Sequence, residues 1–379
     1  MSADRVLYLD HLASTPLDPE VLDAMRPWLD PAAVGNPHAA WHRPGWRAAE
    51  AIEAARAEVA ALIGARPGEI LFTGGATEAN NLALLGGIPA GWPAIASAIE
   101  HPSVLACLPE LAARGHRTAT LPVGPDGTAD LDALKTLLAG RPALVSLMAA
   151  NNEIGTIQPL AEAARICAEA GALLHSDAVQ MLSTGLVDIR ALDLAFLSLS
   201  GHKLYGPMGI GALFVREGTS LRPLLHGGDQ QEGRRAGTLP TALCVGLGAA
   251  CRIARQRRSA DAQRLTALRE RLFSTLQNGL PELRRNGSSD HGLPGCLNVS
   301  VPGLDAADLL LDLPDLALST GSACSTGSPE PSHVLRAIGL SPEQAYGSLR
   351  FGLGRGTTED EIDRVAARIA EAIRARDRG

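Results

Sequence analysis

The 379-residue chain contains no apolar run near the roughly 20 residues that a membrane helix requires. It also lacks a basic N-terminal stretch followed by an apolar one. Met1 to Asp10 is mixed in character, which predicts a protein without a signal peptide, working in the cytoplasm. Six cysteines occur, Cys107, Cys167, Cys244, Cys251, Cys296 and Cys324, and none forms a C-x-x-C pair. That spacing argues against a zinc site or a thioredoxin-like motif, and a disulfide framework is not expected in a large intracellular chain. A basic run is missing too, and the formal charge of −7 argues against nucleic acid as a general partner. Beyond general alanine richness there is no internal repeat or low-complexity segment.

What is present is an ordinary globular composition, 46% hydrophobic, in a chain long enough for two or three domains. Short apolar runs at 70–72, 94–98, 143–148 and 173–175 alternate with helical patterns at 47–63, 130–138 and 160–170. This rhythm predicts an α/β domain with a largely parallel sheet. After about residue 240 the texture changes to a long helical region, 241–280, and then to Gly- and Pro-punctuated strands near 297–301 and 317–319. A last helix opens on Thr358-Glu359-Asp360-Glu361, a capping box, and carries Ile362, Val365, Ile369 and Ile373 on one stripe. The second half is therefore expected to form a smaller α+β domain. The arginines from Arg252 to Arg264 read as the wet face of the long helix.

Lys203 lies in Leu197-Ser198-Leu199-Ser200-Gly201-His202-Lys203-Leu204-Tyr205-Gly206-Pro207, crowded by glycines and flanked by strand-like runs. A desolvated ammonium loses basicity, which suits a Schiff-base lysine; a snorkelling turn lysine is the plainer alternative. Thr73-Gly74-Gly75-Ala76-Thr77-Glu78 is a glycine turn between a strand and a helix, a place for a phosphate or simply a turn. It is neither a Walker A sequence nor a G-x-G-x-x-G fingerprint. Asp177 ends a strand and either caps the next helix or pairs with a cofactor nitrogen. His101, after Glu100, stacks on a flat ring or caps. Asn151 and Asn152 build a turn or direct a hydrogen bond. Arg350 alternates with apolar neighbours and needs an anion, from the protein or from a substrate. Cys324 sits among Ser, Thr and Gly residues from Ser319 to Pro329, a setting for an accessible soft nucleophile.

Taken together these segments resemble the NifS/IscS-type cysteine desulfurases, pyridoxal 5'-phosphate (PLP) enzymes of the class V aminotransferase family and fold type I. The resemblance runs nearly end to end. It includes Tyr8-Leu9-Asp10, Gly35-Asn36-Pro37-His38, Thr73–Asn81, Glu100-His101, Asn151–Gly155, Asp177–Gln180, Ser200–Pro207, Gly237–Pro240, Gly321–Cys324, Glu330-Pro331-Ser332 and Arg350–Arg355. It departs at His226–Glu232, where Asp229 interrupts the family's glycine run.

The fold implied is an α/β large domain with a mostly parallel mixed sheet, over 16–254. Residues 1–15 and 255–379 would form the small domain, with the cysteine loop at about 319–332. The resemblance implies that Lys203 forms the Schiff base, His101 stacks on the pyridine ring, Asp177 pairs with its nitrogen and Gln180 meets its hydroxyl. Ala76, Thr77, Ser200 and His202 would hold the phosphate, with Thr238 from the other subunit of a homodimer. Asn152 would touch both cofactor and substrate, Asn36 and Arg350 would bind substrate, and Cys324 would take the sulfur of L-cysteine. The partners implied are L-cysteine and a sulfur-acceptor protein, with no membrane and no direct nucleic acid binding. A class V lyase or aminotransferase that does not use the thiol, and a sulfur carrier with a vestigial cofactor site, are the alternatives.

Overall fold

The computed structural model describes residues 6–320 and 331–376, so Cys324 lies outside the described residues. A short strand, β1 (Leu7–Tyr8), precedes the main sheet. That sheet contains β2 (Ile70–Thr73), β3 (Ala94–Ser97), β4 (Thr118–Leu121), β5 (Leu144–Ser146), β6 (Leu173–Asp177), β7 (Phe196–Ser200) and β8 (Gly211–Val215). Their spatial order is β2-β8-β7-β6-β5-β3-β4. The strands from β7 to β4 pair in parallel, and β8 runs antiparallel to both β2 and β7. β2, β3, β5, β6 and β7 consequently end at one edge, where ligands of open α/β sheets bind.

Helices cover the sheet because their apolar stripes match it. Arg43–Ile63 buries Ile52, Ala55, Val59, Leu62 and Ile63 and stops at Gly64, whose φ of 76° is left-handed. Its start precedes the expected residue 47, because the His42 ring accepts a hydrogen bond from Gly45 N–H and caps the helix. Phe72, Phe214, Leu197 and Leu199 from the sheet pack with this helix in one continuous core.

A second core contains Leu265, Leu272, Leu276, Val299, Phe351, Ile362, Val365, Ile369 and Ile373. It fills the space around β9 (Arg284–Asn286), β10 (Cys296–Ser300), β11 (Leu316–Ala317), β12 (Ser319–Thr320) and β13 (Ser348–Gly352). Four of these form the antiparallel sheet β12-β13-β10-β9, while β11 pairs in parallel with β1. The 39-residue helix Thr241–Gly279 serves both cores, with Cys244 to Ala254 in the first and Leu265 to Leu276 in the second. Arg264 on that helix is not a solvated charge: its guanidinium donates to the carbonyls of Gly354, Arg355 and Thr357. The capping box at the last helix forms in both directions between Thr358 and Glu361. Among the described residues no helix is long and apolar enough to cross a membrane.

Candidate active site

The C-terminal edge of the main sheet gathers most of the residues singled out by the sequence. β6 delivers Asp177, which is buried. One carboxylate oxygen accepts from Val179 N–H at 3.0 Å and the other from Asn80 Nδ2 at 2.7 Å. Asn80 also donates to Ser103 Oγ at 2.9 Å, and its own carbonyl oxygen is buried with no partner among the described residues. Ser103 in turn meets His101 twice, through its N–H at 3.1 Å and its hydroxyl at 2.7 Å, both at Nδ1. Accepting the backbone N–H makes Nδ1 the unprotonated nitrogen, so a neutral ring carries its proton on Nε2. Burial lowers the pKa of His101; the Asp177 carboxylate opposes that shift, while Lys203 and His333 add to it. Lys203 and Asp177 thus both act on this ring. Asn80 and Ser103 were not anticipated from the sequence; an asparagine inside a short helix carries no local signal of its partner.

β7 leads through the tight turn Gly201–Lys203 to the lysine. Lys203 Nζ donates to the carbonyls of Leu12 and Ala13 at 2.5 and 2.6 Å, and Gln180 Nε2 shares the Leu12 carbonyl at 3.1 Å. Thr15 fastens this N-terminal segment to the lysine turn. Its hydroxyl donates to the His202 carbonyl at 2.9 Å and accepts from Tyr205 N–H at 2.8 Å. Tyr205 holds a left-handed φ of 61°, and its ring lies 4.2 Å beneath the Arg355 guanidinium. A small cleft opens beside Lys203 and Gln180, lined also by His11, Thr15, Leu353 and Arg355. Burial, then the neighbouring Lys203, lowers His202 to about 4.

The turn after β2 approaches the same edge. Ala76 begins the helix Ala76–Asn81, with Thr77 exposed beside it. Gly211 on β8 permits this approach, since a Cβ there would stand 2.8 Å from Gly75 Cα and 2.6 Å from the Leu199 carbonyl oxygen. The helix is shorter than the expected 78–85, because it continues as a π-helical turn at Leu82–Gly86.

Arg350 on β13 is only 1% exposed. Its Nη2 donates to Asp10 Oδ1 at 2.8 Å and to Ser319 Oγ at 2.9 Å, and Nη1 donates to the Asn152 carbonyl at 3.1 Å. Nε is buried and has no hydrogen-bond partner among the described residues. Asn151 builds the turn, accepting from Glu153 and Ile154 N–H and donating to the Ile99 carbonyl. Two buried carboxyls back this region. Glu153 accepts from Ser332 Oγ and is pushed up to about 7 by burial. Glu100 accepts from Met148 N–H and is pushed up to about 8, by burial and then by Asp177.

Asn36 and Thr238 are exposed and are not part of this cluster. Their neighbours Pro37, His38 and Leu239 line a different cavity, together with Arg56 and Gln231. Gln231 closes the free edge of the sheet there, its side-chain amide bonding both the N–H and the carbonyl of Phe72.

The aminotransferase class-V family matches residues 7–365. The chain belongs to that family. It is 44% identical to the cysteine desulfurase of Homo sapiens over 377 residues, spanning 98% of this chain and 82% of that one. A solved NifS-like protein superposes with a TM-score of 0.90 at 34% identity, covering 98% of this chain and 99% of its own. A structure described as SspA in complex with cysteine superposes with a TM-score of 0.81 at 36% identity, covering 91% and 98%. The class-V chain is therefore a fold type I protein and its cofactor is PLP. The residues fit that cofactor. A buried carboxylate aligned by Asn80 suits a protonated ring nitrogen, the glycine turn suits a phosphate, and Lys203 at the same edge suits the aldehyde.

Proposed function

We propose that this chain is a cysteine desulfurase that converts L-cysteine to L-alanine and receives the sulfur as a persulfide on Cys324. The observation that carries this reading is the convergence of Lys203, Asp177 and His101 at one sheet edge, in a chain similar to cysteine desulfurases along nearly its whole length.

PLP, when bound, supplies an electron sink adjoining the substrate's α-carbon. Asp177, kept in place by Asn80 and Val179 N–H, is the anion for its ring nitrogen. Ala76, Thr77, Ser200 and His202 are assigned to its phosphate, and Gln180 to its hydroxyl. His101, held at Nδ1 by Ser103, would face the cofactor's ring. Lys203 Nζ is the amine that would hold the cofactor's aldehyde carbon, and it is the base that would move the substrate's α-proton.

Arg350 and Asn152 take the substrate carboxylate, with Asn36 as a further substrate contact. Cys324 Sγ, as thiolate, attacks the substrate Sγ. An S–S bond forms and the Cβ–Sγ bond breaks; the electron pair stays with Cβ, which takes a proton. L-cysteine and a thiol thus become L-alanine and a persulfide, with atoms and electrons balanced.

The active form in this reading is a homodimer, with Thr238 completing the partner's phosphate site, acting in the cytoplasm on behalf of a sulfur-acceptor protein. Loading with PLP should give a yellow protein. Cys324→Ala should keep that colour and lose alanine formation; a variant that still makes alanine at the wild-type rate overturns the reading.

A further inference from the structure

The side chain of Lys203 is tied to the segment 12–18 at its tip and at its root. At the tip, Nζ donates to the carbonyls of Leu12 and Ala13 at 2.5 and 2.6 Å. At the root stands Thr15, which is buried. Its N–H and its hydroxyl both reach the His202 carbonyl at 2.9 Å, and its oxygen accepts from Tyr205 N–H at 2.8 Å. Asp18 N–H continues the pairing to the Tyr205 carbonyl at 3.0 Å. The segment is also fixed from β13, because His11 N–H bonds the Gly352 carbonyl and Gly352 N–H bonds the Leu9 carbonyl.

Two carbonyl acceptors favour an ammonium over a neutral amine, since hydrogen bonds to the charged form are the stronger ones. As base, the neutral amine takes the substrate's α-proton and becomes the ammonium, while the C–H electron pair stays with the α-carbon. The charge created in that step is the one that the Leu12 and Ala13 carbonyls stabilise. Thr15 sets where those carbonyls stand, because it ties their segment to the residues on either side of Lys203.

We propose that the Leu12 and Ala13 carbonyls seat the protonated Lys203 during proton transfer, and that Thr15 is the positioning residue that holds this seat in register. This rests on the role of Lys203 given above.

Two measurements test it. The first follows exchange of the α-proton of L-alanine by the PLP-loaded enzyme in D2O, read by NMR. Thr15→Val removes the hydroxyl and leaves Tyr205 N–H without its acceptor. Its exchange rate at saturating L-alanine should fall about tenfold, with the half-saturating concentration unchanged. Thr15→Ser, which keeps the hydroxyl, should exchange within about threefold of the wild type.

The second uses the PLP-free chain, which has only two lysines, Lys203 and the exposed Lys135. Their relative acetylation by limiting acetic anhydride is read by peptide mass spectrometry. Lys203 should react more slowly than Lys135 in the wild type. Thr15→Val, by loosening the seat, should raise the Lys203 share by about threefold or more.

A Thr15→Val protein with wild-type exchange, or with a wild-type acetylation ratio, overturns the proposal. So does a loss confined to the half-saturating concentration, a Thr15→Ser protein that behaves like Thr15→Val, or a wild type in which Lys203 reacts faster than Lys135. Should Thr15→Val fail to fold, Thr15→Ala gives the same two readouts. A loaded wild type that exchanges no α-proton overturns the parent reading instead, and the acetylation ratio tells the two failures apart.

Discussion

Glu153 and Glu100 are carboxyls placed where an ionised group is costly, while His175, His11 and His202 are imidazoles placed where a charged ring is costly. Their effects on stability run in opposite directions. Burial lowers His175 to about 3 and His11 to about 4, so the unfolded chain binds protons more tightly and stability is lost as pH falls below the ordinary imidazole range. Glu153, raised to about 7, binds its proton more tightly when folded, so its contribution is greatest below the ordinary carboxylate range and is lost as pH rises towards 7. Glu153→Gln removes the second effect and keeps an acceptor for Ser332. The variant's melting temperature should therefore gain on the wild type between about pH 5 and pH 8. Parallel melting curves across that range would contradict this assignment.

At the scale of single elements, the Gly74–Gly75 turn owes its seat to the missing side chain at Gly211. Gly211→Ala drives a Cβ against Gly75 and the Leu199 carbonyl. A cost of about 1–3 kcal/mol is expected from such overpacking. Cofactor retention should fall with it, measurable as faster loss of PLP absorbance on dialysis; unchanged melting and retention would contradict the close approach.

Element positions were largely legible in the sequence because apolar periodicity and terminal signals agree. Ile362, Val365, Ile369 and Ile373 are all buried, and Thr358–Glu361 caps their helix as its spacing predicts. What was not legible is non-local. His42 extends a helix through a ring nitrogen, Gln231 pairs with a strand more than 150 residues away, and Arg264 spends its charge on distant carbonyls. The site divides in the same way. Lys203, Asp177 and His101 stand out because each follows a strand, whereas Asn80, Ser103 and Asp10 act through partners that only folding brings near.

For the molecule as a whole, the exposed Thr238 and Asn36 matter most, because one protomer does not bring them to the Lys203 cluster. If Thr238 serves the partner's site, a Lys203→Ala chain and a Thr238→Ala chain complement each other. Mixed dimers formed at random should regain about one quarter of wild-type activity, since half are hybrids with one complete site. No recovery on subunit exchange would place Thr238 outside the phosphate site.

In the proposed reaction Cys324 receives the sulfur of L-cysteine. Mass spectrometry of the peptide containing Cys324, taken after brief exposure of the PLP-loaded enzyme to L-cysteine without reductant, tests it most directly. The peptide should be heavier by one sulfur atom, a gain reversed by a thiol and absent in Lys203→Ala. An unmodified Cys324 in an enzyme that is producing alanine would contradict it.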